Sequence, residues 1–270
     1  MISMHNETIT LTFGEAGKNH TGMEMIGEKA KYGEGFSKGD LKKISSNLKE
    51  YNIEHKIYNL NNLYKNVQID LKVEDARLLV IKDGLDIIGN EKLFSDKLFE
   101  EMKTFDWDKK YYDVRRGKVL NKLSRANVCF DEVGRECDYI KGKGTIIPFN
   151  KLKYLNKLRK NLKKYFGKKA KKLICEGNHY YDLNKCGIGY HGDTERKKVI
   201  GVRLGGKMPL HFTWFNQSFP VGKTLELELD HGDLYIMSEK TVGGDWKYKN
   251  KLTLRHSAGA NKYTSLQKYI

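Results

Sequence analysis

The sequence predicts a mixed α+β protein in which an antiparallel β sandwich or barrel follows a helical region. From Lys172 onward, short apolar segments are separated by glycines and have no helical pattern between them. Such closely spaced strands are typical of antiparallel sandwiches and barrels. Upstream, apolar residues recur at helical spacing over about 93–105 and 150–166. The 270 residues suffice for one large core, or for one core with a small extension.

The individual elements follow from the same patterns. In the C-terminal part, the predicted strands are Leu173–Cys175, Cys186–Tyr190, Lys198–Leu204, Leu210–Phe215, Thr224–Leu229, Leu234–Met237 and Lys251–Arg255. Residues 8–12 alternate like a strand, and Asp40 is placed to cap a helix that runs to about Tyr51. Because residues 1–75 are glycine-rich and weakly patterned, we interpret them as an N-terminal extension of a main domain over 76–270. The β core of that domain is predicted over about 172–260.

Composition restricts the class of protein. No stretch approaches the roughly 18 uninterrupted apolar residues of a membrane span, so no membrane association is expected. The N-terminus shows no basic segment followed by an apolar run, which predicts no signal peptide. The four cysteines form neither a CxxC zinc pattern nor a disulfide framework. The expected location is therefore intracellular, in a reducing compartment such as the cytoplasm or nucleus.

Positive charge is concentrated in one segment. The chain has 50 Lys+Arg and 34 Asp+Glu, a net charge of +16, and residues 141–172 hold thirteen basic residues and no acidic one. Such clustering is typical of a surface that binds a polyanion, most simply DNA or RNA. The alternative is a solvated lysine-rich surface. Residues 111–130 mix cations with aromatic side chains, which suits a loop that holds a base or a phosphate.

One short segment combines side chains that bind metal ions. Residues 190–195 read Tyr-His-Gly-Asp-Thr-Glu, so His191 and Asp193 are two positions apart. In an extended segment, residues two apart point to the same face. Two histidines and one carboxylate on one octahedral face leave three positions free, as in non-haem iron oxygenases. Alone, an HxD segment is weak evidence, because it also occurs in solvent-facing turns.

Further motifs accompany HxD in a fixed order. Asn-His-Tyr stands at 178–180, Leu-Glu-Leu-Asp-His-Gly-Asp-Leu at 227–234 and Leu-Thr-Leu-Arg at 252–255. Over about 107–260 the chain thereby resembles the AlkB-like family of Fe(II)/2-oxoglutarate-dependent dioxygenases. The resemblance implies a double-stranded β-helix, or jelly-roll, core with flanking helices. It also implies Fe(II) and 2-oxoglutarate as cofactor and co-substrate.

The resemblance assigns a role to each matched residue. His191 and Asp193 would bind the metal, Asn178 and Tyr180 would contact 2-oxoglutarate, and Arg255 would pair with one of its carboxylates. A charge-assisted contact of this kind contributes roughly 1.5–3 kcal/mol and orients its ligand.

A substrate loop is implied as well. Lys118–Phe130 resembles the nucleotide-recognition loop of the family. Arg116, Lys118 and Arg125 are therefore the predicted substrate-binding residues.

The sequence departs from the family at the distal histidine. That ligand would lie between the Gly-Asp-Leu strand and Arg255, but residues 238–250 contain no histidine. Four possibilities are open: His256 at the end of the last strand, His231 in the turn before residue 232, Glu239, or a site without a third protein ligand. We predict His256, which requires a bulge or a strand end if it is to share a face with Arg255.

Two functions of different classes follow. The first is a dioxygenase that hydroxylates or demethylates a base of nucleic acid or of a nucleotide, for which a duplex base would have to be flipped out. The second is a non-catalytic nucleic-acid-binding protein on a decayed oxygenase fold. A protein or small-molecule substrate for the oxygenase also stays open.

Overall fold

The computed structural model describes residues 5–65 and 73–269. Its strands are β1 (Thr8–Gly14), β2 (Ala16–Lys18), β3 (Met25–Gly27), β4 (His55–Asn59), β5 (Arg77–Ile81), β6 (Lys110–Asp113), β7 (Lys118–Asn121), β8 (Ala126–Asp131), β9 (Ile146–Pro148), β10 (Ile174–Tyr180), β11 (Gly187–His191), β12 (Val199–Gly205), β13 (Met208–Asn216), β14 (Phe219–Leu229), β15 (Leu234–Met237) and β16 (Thr253–Gly259). Its α-helices are α1 (Lys38–Glu50), α2 (Leu85–Gly89), α3 (Phe94–Glu101), α4 (Lys153–Phe166), α5 (Glu239–Val242) and α6 (Asn261–Thr264).

Two sheets carry most of the strands. The large sheet has the order β4-β5-β15-β12-β1-β10-β8-β9, and the small sheet has the order β11-β16-β13-β14. Neighbouring strands are antiparallel, except that β8 and β9 run parallel. Two hairpins, β2-β3 and β6-β7, stand beside the sheets. The predicted α+β class is confirmed.

The large sheet has one apolar face, and the helices pack there. On β1, Ile9, Leu11 and Phe13 belong to a core cluster that includes apolar residues of α1 to α4. Side chains two apart in a strand share a face, so the apolar residues of β1 all contact this helical layer. In α4, Leu155 and Leu158 are completely buried in the same cluster. Burying each such leucine contributes roughly 1.5–3 kcal/mol.

A second core cluster joins the two sheets. It contains Tyr235 and Met237 of the large sheet together with Phe212, Trp214 and Leu254 of the small sheet. The indole of Trp214 donates to the carbonyl of Leu60 at 2.8 Å. The chain therefore forms three layers, with helices on one side of the large sheet and the small sheet on the other.

Two local predictions change in the structure. Helix α1 begins after Ser37, which caps the helix, while Asp40 completes the capping box from the third helical position. The predicted boundary at residue 75 is crossed by the large sheet, because β1 lies between β10 and β12 in its centre. Residues of the predicted extension are thus part of the core.

Two expectations from composition can be compared with the structure. All four cysteines are free thiols, of which Cys137 is exposed and the other three are buried. Among the described residues, no helix has the length and apolarity needed to cross a membrane.

Candidate metal centre

His191 and His256 lie next to each other on adjacent strands of the small sheet. His191 is the last residue of β11 and pairs in register with His256 of β16, after an irregularity in β11 that follows Ile188. The two imidazole centroids lie 4.4 Å apart. The backbone register thus holds two imidazole side chains next to each other.

A glycine turns the chain so that Asp193 joins them. A Cβ on Gly192 would lie 2.0 Å from the carbonyl oxygen of Gly243, so only glycine fits this close backbone approach. The N–H of Asp193 then donates to the carbonyl of Val242 at 2.9 Å. The last residue of α5 and the glycine that follows it therefore fix the backbone that carries the carboxylate.

The three ligand atoms converge. Oδ1 of Asp193 lies 3.5 Å from Nε2 of His191 and 3.7 Å from Nε2 of His256. All three atoms lie within 4.8 Å of one another. Ligand atoms bonded at about 2.1 Å on one octahedral face would be about 3 Å apart. The triad thus has the composition and nearly the spacing of a metal site.

The protonation states suit a cation. Burial, and next the neighbouring His256, lower the pKa of His191 to about 3, so its imidazole is neutral at physiological pH. Its Nδ1 lies 2.8 Å from the carbonyl of Gly189, and this contact places the ring hydrogen on Nδ1 and leaves Nε2 free to bind. Burial opposes ionisation of Asp193, but Arg196 and then His256 outweigh it, so the pKa of Asp193 lies below its usual range.

Arg196 is the centre of a buried ion cluster behind the triad. Its guanidinium donates to Glu176 and to Glu195, and its Nε lies 3.5 Å from Oδ2 of Asp193. Asn178 donates to Glu176 at 3.2 Å. Because Arg196 faces Oδ2, it leaves Oδ1 of Asp193 directed toward the two imidazoles.

The triad lines a cavity of about 410 Å³ between the two sheets. Besides the triad, its charged and aromatic lining residues are Lys18, His20, Arg125, Glu176, Tyr180, Glu195, Arg196, Arg203, Tyr235, Trp246 and Lys247. The five lysines and arginines in this lining exceed the three carboxylates, those of Glu176, Asp193 and Glu195. The cavity is large enough for a small organic ligand, and its charge favours an anionic one.

The sequence is similar over almost its full length to a viral protein. "Uncharacterized protein R156" of Acanthamoeba polyphaga mimivirus is 39% identical over 257 residues, which is 95% of this chain and 97% of that protein. This chain belongs to the family of R156. No family model matches it.

In this chain, most of the predicted site residues lie together. Asn178 and Tyr180 line the cavity with the triad, and so does Arg125, whose Nε donates to Asn178 at 2.7 Å. Arg116 and Lys118 are exposed on the β6-β7 hairpin instead. That hairpin adjoins the cavity, because Tyr111 stacks on His20 with 3.8 Å between the ring centroids.

Arg255 is placed elsewhere than predicted. Its neighbour His256 faces the cavity, and in a regular strand the next side chain points the opposite way. The guanidinium of Arg255 lies 4.2 Å from the ring centroid of Phe215 and 5.3 Å from that of Trp246. Arg255 is therefore not among the residues that line this cavity, and its predicted contact with a co-substrate stays a prediction.

The two alternative third ligands also lie away from the triad. The ring of His231 packs against His5 and Phe99, and its Nδ1 accepts the N–H of Gly205 at 2.9 Å. Glu239 accepts the N–H of Gly35 at 2.9 Å and lies 3.6 Å from Lys197. Of the three candidates, His256 is the one that the structure places with His191 and Asp193.

Sequence reasoning missed two parts of the cavity. Arg203 lies within a predicted strand, where an arginine among apolar residues was a usable signal. The segment from Lys18 to His20 lies in the glycine-rich N-terminal region, to which the sequence analysis assigned no site residue. In the structure Lys18 and His20 line the cavity, while Asn19 is buried and donates to Asp108 at 3.0 Å.

Proposed function

We propose that the eight strands around the cavity form a double-stranded β-helix. From β10 to β16, the chain alternates between the large and the small sheet, with β13 and β14 both in the small one. The place between β10 and β12 is filled by the N-terminal strand β1. This gives four strands in each of two facing sheets, the strand count of a jelly roll.

The triad is the observation that carries the proposed function. Two imidazoles and one carboxylate on one side of a cavity are the donor set of non-haem iron(II) oxygenases. His191, Asp193 and His256 would hold the ion. Their donor atoms already converge, and among the described residues the buried Nδ1 of His256 has no hydrogen-bond partner.

Arg203 takes the role that the sequence predicted for Arg255. It is 1% exposed and lines the cavity, and its Nη1 donates to Thr10 at 3.0 Å. Within residues 5–65 and 73–269, its Nε has no hydrogen-bond partner and its guanidinium has no carboxylate partner. A buried, uncompensated cation is costly, so a ligand carboxylate at this position would stabilise the site. A dicarboxylate could then reach the metal with its other end.

These features support an Fe(II)/2-oxoglutarate-dependent dioxygenase, as the resemblance to the AlkB-like family implies. Bound iron and 2-oxoglutarate would supply the oxidation of a C–H bond. The chain would contribute the orientation of both and the exclusion of water by the apolar cluster between the sheets. Lys18 and Arg125 in the cavity, with the stacked His20 and Tyr111 beside it, favour a nucleic-acid base or nucleotide as substrate.

Anaerobic titration with Fe(II) tests the metal site. His256→Ala should weaken iron binding by at least about 100-fold, since one of three protein ligands is lost. His231→Ala is the matched control and should bind iron like the unmodified protein. If iron binding persisted in His256→Ala but disappeared in His231→Ala, His231 and not His256 would be the third metal ligand.

Turnover and co-substrate binding test the rest of the site. Succinate formation is measured with DNA, RNA and nucleosides, and its absence with all three would favour a different substrate or a non-catalytic protein. Arg203→Met should weaken 2-oxoglutarate binding to the iron-loaded protein roughly 10- to 100-fold, because a charge-assisted contact is lost. Arg255→Met should leave this affinity nearly unchanged, and the reverse pattern would restore Arg255 to the site.

A further inference from the structure

The outer surface of α4 and of the turn that follows it is densely basic. Eight lysines of this segment are exposed: Lys151, Lys153, Lys160, Lys163, Lys164, Lys168, Lys171 and Lys172. Three other cations of the segment have carboxylate partners, namely Lys157 with Glu91, Arg159 with Glu132 and Lys169 with Asp40. In the described parts of the chain, none of the eight exposed lysines forms an ion pair. We call these eight residues the α4 lysine surface.

The α4 lysine surface faces away from the cavity. The apolar residues of α4 are buried against the helix-covered face of the large sheet, whereas the cavity opens on the other face, which carries Thr10 and Thr12. The lysines therefore cannot serve the ligand in the cavity. A separate explanation is needed for so many like charges, since lysines four apart on a helix, such as Lys160 and Lys164, repel each other.

We propose that the α4 lysine surface is a docking site for a nucleic-acid backbone. Lys153, Lys160 and Lys164 lie seven and four positions apart and so share one helix face. They span about 16 Å along the axis at 1.5 Å per residue. Phosphates recur every 3.4 Å per strand along duplex DNA, so this row reaches across about five base-pair steps. Among the described residues, no lysine of this row forms an ion pair, and a row of unpaired lysines is the electrostatic pattern expected for such a partner.

The buried face of α4 argues against a membrane as the partner. A helix that binds a membrane surface inserts its apolar face into the lipid. In α4, Leu155, Leu158 and Leu162 are completely buried within the protein, so only charges remain available. An acidic protein is the other possible polyanion, and it is an outcome of the test below.

The inference goes beyond the proposed function, because it requires neither the metal nor the cavity. Asp193→Ala, which removes a proposed metal ligand, should therefore leave nucleic-acid affinity unchanged. This variant separates a failure of the docking site from a failure of the metal centre.

Fluorescence anisotropy with labelled single-stranded and duplex DNA, from 50 to 200 mM salt, tests the proposal. The triple variant Lys153→Glu, Lys160→Glu, Lys164→Glu should bind at least about 10-fold more weakly at low salt. Each lost phosphate contact should reduce the slope of log K against log salt by about 0.9. The matched control reverses Lys223, Lys251 and Lys262, which are exposed on the side of the small sheet. It has the same net charge and should lose less than about 3-fold.

Three results would overturn the proposal. One is an equal loss of affinity in both triple variants, which would mean that only net charge matters. Another is no binding of either DNA by the unmodified protein at 50 mM salt. The third is tighter binding to phosphatidylserine vesicles or to polyglutamate than to DNA, because the surface would then serve a membrane or an acidic protein.

Discussion

The two faces of the large sheet are built from the same strands but hold different chemistry. On β1, Ile9 and Leu11 contact the helical layer, whereas Thr10 and Thr12 line the cavity. On β12, Val202 belongs to the helical core and Arg203 to the cavity. The alternation of side chains along a strand thus separates a face that stabilises the fold from a face that carries a site.

The two faces differ in the kind of side chain that they bury. The helical face buries apolar surface, which is favourable by itself. The cavity face buries ions, which are favourable only when paired. Arg196 has carboxylate partners, and within the described residues Arg203 has none. We infer that Arg196 stabilises the folded protein without a ligand, whereas Arg203 acquires its carboxylate partner when a ligand binds.

The largest expected effect is that of Arg196→Met. This change leaves Glu176, Glu195 and Asp193 buried without their common cation, so the free energy of unfolding should fall by about 3–5 kcal/mol. Urea denaturation of the metal-free protein measures it. Arg203→Met is the matched control and should change stability by less than about 1 kcal/mol, or raise it. Equal destabilisation by both changes would contradict the distinction drawn between the two arginines.

A pair of neighbouring changes on β1 compares the faces directly. Leu11→Ala leaves a cavity in the helical core and should lower the free energy of unfolding by about 2–5 kcal/mol, without changing iron affinity in the folded protein. Thr10→Ala should cost only about 0.5–1.5 kcal/mol, since it removes one hydrogen bond to Arg203. It should nevertheless weaken 2-oxoglutarate binding. If Leu11→Ala weakened ligand binding more than Thr10→Ala, the two faces would not be separable in this way.

Local patterns in the sequence predict single strands and helices well, but they do not predict which strands pair in a sheet. The strand over residues 8–12 and the helix over residues 150–166 were visible from their periodicity, and both are present as β1 and α4. The partners of β1 are β10 and β12, more than 150 positions away. Pairing at such separation leaves no periodic signal in a single sequence, so residues 1–75 looked like an extension.

The site shows the same limit. The HxD spacing predicted that His191 and Asp193 share a face, and the structure places them together with His256. Arg255 was predicted as a co-substrate ligand because its motif resembles a strand that carries such an arginine in the AlkB-like family, whereas its guanidinium lies 4.2 Å from the ring centroid of Phe215. Here β16 pairs with β11, so its alternation directs His256 into the cavity and Arg255 away. Which of two adjacent residues faces a site depends on sheet position, and that is a tertiary property.

A buried lysine that follows the β6-β7 hairpin permits a test by pH. Lys122 is 8% exposed, and its ammonium donates to Asn19, the buried residue between Lys18 and His20. Burial lowers the pKa of Lys122 from 10.5 to about 8, although Asp108 partly opposes this shift. Below pH 8, Lys122 is protonated in both the folded and the unfolded protein. Its buried charge therefore lowers the free energy of unfolding by the full amount in this range.

The smallest expected effect follows from the titration of Lys122. Between about pH 8 and pH 10.5 the folded state has released its proton and the unfolded state has not, so stability should rise with pH in this window. Relative to Lys122→Met, which cannot titrate, the unmodified protein should gain about 1–3 kcal/mol from pH 7 to pH 10.5. Urea denaturation of both proteins across this range measures the difference and cancels the titration of other groups. A difference that stays constant with pH would show that the ammonium of Lys122 is solvated in the folded state.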